Sequence, residues 1–334
     1  MNFFTEVDIP PCPWKIDYRS KMVMLGSCFS ENIGERLTEL KFNVDINPFG
    51  ILYNPLSVIK SLYLLMQKKQ FTAEDLFFDQ GVWNSFSHHS KFSGTDRDLV
   101  LQNINRRISE SAETLKNADF LIITFGTAWV YEHKSSHEVV SNCHKVPARE
   151  FRRYRLTTSE IVQTFTNLHN ELLKFNPKIK IVFTVSPIRH WKDGAIGNQL
   201  SKATLLLAID QLLTGLGNDY VYYFPSYEIQ MDELRDYRYY ASDMLHPGDV
   251  AVEYIYSKFS KILISEDSKK ISDDVLKIQK AVKHRPLNSA SEGYKKFLLY
   301  NLTLIDRLME KFPFLNLKIE KTYFQECLLQ YEKK

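Results

Sequence analysis

The sequence predicts an α/β fold: a doubly wound, mostly parallel five-stranded sheet with an inserted hairpin and a C-terminal helical extension. Three observations predict it. Five short strand-like segments, most of them apolar runs, lie between residues 21 and 224. Longer stretches with apolar residues at helical spacing separate them. Beyond about residue 270 only the helical pattern remains. Short apolar runs are strands buried on both faces, and their alternation with helices gives a parallel sheet with helices on either side.

The elements follow in order. Residues 1–20 are proline-rich and are expected to wrap the surface. Residues 21–25 form a buried strand ending at Gly26, and Ile33, Leu37 and Leu40 mark a helix after it. Residues 42–46 read as a second strand, leading into Asn47-Pro48-Phe49-Gly50. Helices are expected over 56–67 and 97–117, with a less regular stretch from Phe77 to Gly94 between them. Residues 119–126 give the strongest strand signal. Residues 129–131 and 138–141 alternate weakly, as in a hairpin. A helix over 157–175, capped by Thr158 or Ser159, precedes a strand over 180–185. A helix over 201–213, a strand over 220–224 stopped by Pro225, and a helix over 249–264 complete the set. The patterns Val275/Ile278/Val282 and Leu298/Leu302/Ile305 predict further helices. The chain thus divides into a 1–20 wrapping segment, a 21–265 α/β domain and a 266–334 helical extension.

Bulk properties narrow the function. With 44% hydrophobic and 25% charged residues, the chain can bury a core. A net charge of +3 is far from the concentrated basic face of a nucleic-acid binder, so no nucleic-acid partner is expected. The tail lysines are interleaved with Asp273, Asp274 and Glu292, as on a solvated helical surface. Cys12, Cys28, Cys143 and Cys327 contain no CxxC pair and do not suggest a disulfide scaffold. His144 beside Cys143 has no partner pair at ligand spacing, so no metal and no cofactor are expected. The N-terminus lacks a basic segment followed by an apolar one, and no apolar run is long enough to span a bilayer. A cytoplasmic location without membrane attachment is the expectation. Oligomeric state is not readable.

Two segments could carry chemistry. Cys28 follows a strand and opens a helix, where free N–H groups and the dipole lower a thiol pKa. Ser242-Asp243-Met244-Leu245-His246-Pro247 lies on a loop before a helix. There an Asp three residues before a His can orient the ring while the ring removes a proton from a nucleophile. Both fall where strands end, which is where sites gather in such sheets.

Together these segments resemble the SGNH/GDSL hydrolase superfamily, and within it the GSCFA family. The family motif reads Gly26-Ser27-Cys28-Phe29-Ser30 here. Further stretches that resemble the family are Asn47-Pro48-Phe49-Gly50, Thr124-Phe125-Gly126-Thr127-Ala128-Trp129, Asn142-Cys143-His144-Lys145, Ser186-Pro187-Ile188-Arg189-His190 and Phe224-Pro225-Ser226-Tyr227-Glu228. The likeness covers roughly residues 20–260 and not the helical tail. It implies a flavodoxin-like sheet and acyl transfer without a cofactor. Matched to the superfamily's Gly-Asp-Ser block, Cys28 stands at the nucleophile, with Ser27 as the competing choice. Gly50 and Gly126 match the glycines of the oxyanion blocks, but Ala128 replaces the Asn that donates to the oxyanion. His89, Asn142, His144 and Arg189 are the candidates to substitute or to bind substrate. Tyr237, Tyr239 and Tyr240 are expected to support the Asp243 loop.

The implied substrate is a small-molecule or glycan ester, such as an O-acetylated carbohydrate, or a thioester. The alternative is a catalytically weak or inactive domain that binds glycans or acyl groups, suggested by Ala128. A third reading makes the tail a docking surface.

Overall fold

In chain order the computed structural model, which describes residues 5–217 and 219–332, begins with β1 (Lys21–Gly26), α1 (Cys28–Glu39), β2 (Asn43–Ile46), α2 (Pro55–Met66), β3 (Phe77–Asp79), β4 (Val82–Asn84) and α3 (Arg97–Lys116). It continues with β5 (Phe120–Phe125), β6 (Trp129–His133), β7 (Glu138–Val140), β8 (Phe151–Arg155), α4 (Thr158–Phe175) and β9 (Lys180–Val185). Then come α5 (Gly194–Leu216), β10 (Val221–Tyr223), the short turn α6 (Ser226–Glu228), α7 (Asp249–Leu263), α8 (Glu266–Lys283), α9 (Glu292–Lys311) and α10 (Lys318–Glu332). The expectations for residues 1–4 and 333–334 lie outside the described residues.

The main sheet has five strands in the order β10-β9-β5-β1-β2. β1 pairs with β5, β5 with β9 and β9 with β10, all parallel. This is the expected doubly wound α/β sheet. All six residues of β5, the central strand, are buried, and each large apolar side chain so buried contributes about 1.5–3 kcal/mol. One core cluster joins Leu25, Ile123, Phe125 and Phe183 to Leu62 of α2, Ile104 of α3, Phe165 of α4 and Ile209 of α5. The alternate strand residues Met24, Ile122 and Val182 are buried on the other face.

The structure differs from the sequence reading in four places, each for a local reason. The irregular stretch after Phe77 contains a small antiparallel pair, β3 with β4. The inserted hairpin is a three-stranded sheet in the order β7-β6-β8. Its third strand, Phe-Arg-Arg-Tyr-Arg, has no apolar run to announce it. The cap of α4 is Thr157, in a capping box with Glu160. Helix α5 starts at Gly194, two turns before its apolar stripe begins. Among the described residues no helix is long and apolar enough to cross a membrane.

The chain divides into two compact units, residues 1–14, 20–35 and 44–263, and residues 15–19, 36–43 and 264–334. The second unit is therefore not only a C-terminal extension. In it Tyr18 stacks on Phe42 at 4.2 Å, and its hydroxyl meets the Leu40 carbonyl and Ser272. Lys41 pairs with Glu320 at 2.6 Å. Segments far apart in sequence complete this helical core.

Candidate active site

The turn after β1 is fixed by Gly26. Its φ is +138°, and a Cβ there would lie 2.1 Å from the Thr124 carbonyl oxygen. Only glycine lets β1 approach β5 this closely at its end. The Gly26 N–H donates to Asn47 Oδ1 at 2.9 Å. Ser27 is buried, and its Oγ accepts from the Phe29 N–H at 3.3 Å, the position of a helix cap. Ser30 Oγ donates to Thr124 Oγ1 at 2.7 Å. Cys28, the first residue of α1, is half-buried. Burial pushes its thiol pKa up, overriding N–H donation from Cys28 and Phe29 and the pull of Lys202. The sequence expectation of a lowered thiol pKa is thus corrected: desolvation outweighs the helix terminus.

The other segment is a loop that holds itself. Asp243 Oδ1 accepts from the N–H groups of Leu245 and His246, both at 2.9 Å. Its Oδ2 meets His246 Nδ1 at 2.5 Å. These bonds hold the Asp243 carboxyl down at about 2. The Nδ1 contact assigns the proton to Nδ1 and leaves Nε2 as the acceptor. The Ala241 N–H donates to the His246 carbonyl, and the Gly248 N–H to Tyr239. The tyrosine segment supports the loop through this backbone, while the Tyr237 side chain stays 73% exposed.

A cleft of about 530 Å³ opens between these segments, lined by Ser27, Cys28 and His246 together with Asn142 and Arg189. Tyr53, Asn54, Trp129, Tyr131, Arg153 and His190 also line it. Its floor is braced by α5. Asn198 accepts from the His190 N–H at 2.9 Å, and Ser201 Oγ from the Ala128 N–H at 2.7 Å. Lys202, wholly buried, donates to the carbonyls of Gly126 at 2.7 Å and Ser186 at 2.6 Å. No carboxylate pairs with it among the described residues, and burial pulls its pKa down to about 7. Burial and the Lys202 charge likewise bring His190 to about 4, so its ring is neutral at pH 7.

The structure brings Cys28, Ser27, His246, Asn142 and Arg189 to one cleft, with Asp243 behind His246. It does not bring Gly50 and Gly126 there as donors. The Gly50 N–H donates to Asn47 at 2.7 Å and the Gly126 N–H to Tyr53 at 2.8 Å. Gly50, at φ +78°, closes a tight turn against His89, whose Nδ1 accepts from the Lys91 N–H. His144 turns away to the Ser85 carbonyl at 2.8 Å and lines a separate hollow. Sequence reasoning missed Lys202, although it shares a helical stripe with the buried Leu205, Ile209 and Leu212. It also missed Arg153, because β8 was unread. Among the described residues no group of three or more His, Cys, Asp or Glu side chains could hold a metal ion.

An α/β domain with a cleft over its strand ends is the class that this fold and site define. The GSCFA family model matches residues 21–259, and that of the GSCFA domain protein, C-terminal domain, matches residues 275–330. The chain belongs to the GSCFA family. The second match extends the likeness into the helical tail, which the motifs alone did not reach. No curated protein matches the chain. Among solved structures, a carbohydrate esterase family 3 protein from Talaromyces cellulolyticus is 10% identical, covering 76% of this chain and 99% of that one at a TM-score of 0.36. An acetyl xylan esterase, Est2A, from Butyrivibrio proteoclasticus is 11% identical, covering 73% and 63% at a TM-score of 0.38. Likenesses this loose carry no argument about activity.

Proposed function

We propose that this chain is an esterase-like acyl-transfer enzyme in which Cys28 attacks an ester or thioester carbonyl and His246, oriented by Asp243, moves the proton. The observation that carries this reading is that Cys28 and the Asp243-bound His246 line one cleft. Ser27 is the weaker nucleophile because its Oγ caps α1. Since burial keeps Cys28 a thiol, His246 acts as a general base during attack rather than as half of a standing ion pair. The imidazolium then protonates the departing oxygen or sulfur, and water or another hydroxyl cleaves the Cys28 thioester. Two side-chain amides line the cleft, Asn54 and Asn142. Each places Oδ1 on a backbone N–H, of Ser57 and His144, which leaves Nδ2 as donor. Asn54 Nδ2 already meets Ser57 Oγ, so Asn142 takes the part of the Asn missing at Ala128. The SGNH resemblance points to a small acyl ester, including O-acetylated carbohydrate.

A binding module without turnover is the second reading, and Ala128 favours it. The test is a panel of chromogenic acetyl esters and acyl thioesters, with intact-mass detection of the acyl-enzyme. Turnover is expected to fall by about three orders of magnitude or more in Cys28→Ala and His246→Ala. Undiminished turnover in Cys28→Ala sinks the nucleophile assignment, and no turnover of any substrate by the unaltered protein favours the binding module.

A further inference from the structure

We infer that the ligand of this cleft carries a carboxylate beside its ester, held by Arg189 with Lys192. The inference rests on the acyl-transfer reading for the ester and on the charges of the wall for the carboxylate. Three full cations line the cleft, Arg153, Arg189 and Lys192, against one carboxylate, Asp193. Asp193 is only 3% exposed in its side chain and is ion-paired with Arg153, so it neutralises one of the three. Lys192 Nζ meets a neutral partner, the Tyr131 hydroxyl, at 2.6 Å.

Arg189 is the least compensated. Among the described residues no carboxylate pairs with it. One Nη lies 3.4 Å from the Met231 sulfur, and its Nε is buried without a hydrogen-bond partner. A guanidinium stays charged at any physiological pH, and partial burial without a counter-ion is unfavourable. The buried Lys202 amine lies close enough for the two positive charges to repel. An arriving carboxylate relieves both, and a planar carboxylate matches the guanidinium fork. The chain as a whole carries only +3, so the positive wall is a local feature and not a reflection of overall charge. Arg153 lies 4.4 Å from the Trp129 ring and 5.3 Å from that of Tyr131. These aromatic faces hold the Arg153 guanidinium in place on the cleft wall.

The carboxylate can belong to the acyl half, as in a dicarboxylic half-ester, or to the alcohol half, as in an acetylated uronate. Calorimetric titration of the full-length Cys28→Ala protein separates these without turnover. The probes are monomethyl succinate against dimethyl succinate, and O-acetyl galacturonate against its methyl ester. At least one anionic probe is expected to bind about tenfold or more tighter than its neutral partner, weakening with added salt. Arg189→Gln is expected to erase the preference. Equal binding within both pairs, no binding of either anionic probe, or a preference that survives Arg189→Gln overturns the inference. Anionic preference in a protein that turns over no ester sinks the acyl-transfer reading alone. Turnover of neutral esters without the preference sinks this one alone.

Discussion

Cys28 and His246 face one cleft but are held there by opposite means. The Cys28 turn depends on distant residues: Asn47 on the Gly26 amide, Thr124 on Ser30, and the Thr124 carbonyl against the Gly26 backbone. The His246 loop depends on itself, through Asp243, Ala241 and the Tyr239 backbone. The first is buried and the second is solvent-exposed. Long-range contacts form only when the whole sheet forms, so the thiol's position is tied to global folding. The imidazole's position is tied to a few residues that can open by themselves.

Four substitutions break or sharpen this contrast, in order of falling effect on stability. Gly26→Ala drives a Cβ into the Thr124 carbonyl at a φ that alanine rarely adopts. Its expected cost is on the order of 4 kcal/mol or more in urea melts, and a loss under about 1 kcal/mol would show that β1 and β5 part easily there. Lys202→Met leaves the Gly126 and Ser186 carbonyls without their donor, at about 1–3 kcal/mol each.

That second cost is set against relief of a buried amine, and pH decides the balance. The folded pKa of Lys202 is about 7, against 10.5 for an ordinary lysine. Between those values the unfolded chain binds the extra proton, so the lysine's contribution to stability rises with pH. The Lys202→Met deficit is therefore expected to widen from pH 6.5 to pH 9. Melts in which the deficit stays constant or narrows contradict a depressed amine.

Ser27→Ala removes only a cap, for an expected loss of about 1 kcal/mol, and Cys28 should still form the acyl-enzyme in intact-mass assays. If acylation vanishes with the Ser27 hydroxyl, the nucleophile was misassigned. Asp243→Asn should barely move the melting temperature, because the half-exposed carboxylate ties only its own loop, which can open without the rest of the fold. Its effect falls on turnover, with an expected loss of about a hundredfold or more. The Asp243 carboxyl is held at about 2, so its support of the loop is full above pH 3.8 and is lost as pH falls through about 2.

The legible parts of the sequence were those where one local pattern has one cause. Four of the five strands of the main sheet, β1, β5, β9 and β10, are buried apolar runs and were readable as such, whereas the edge strand β2, Asn-Val-Asp-Ile, has no buried residue and left only a weak signal. Gly26 was readable because strand, glycine and helix adjoin. Asp243 and His246 were readable because three residues separate them and the loop closes on itself. What escaped were residues whose role comes from elsewhere in the fold. Lys202 reads as a solvent-facing lysine until its stripe is traced, and the arginines of β8 hide a strand. Gly50 and Gly126 matched oxyanion positions by motif, but Asn47 and Tyr53 take their amides, and no motif could report that.

Three residues of α5, Asn198, Ser201 and Lys202, fasten the segments leaving β5 and β9, and Gln199 accepts from the hydroxyl of Tyr227 beyond β10. Specificity loops on such sheets are usually regarded as exchangeable parts. Here a chimaera that transplants residues 126–128 or 186–190 from a relative must import the matching stretch of α5 as well. Anyone engineering this cleft is redesigning one helix and three loops as a single graft.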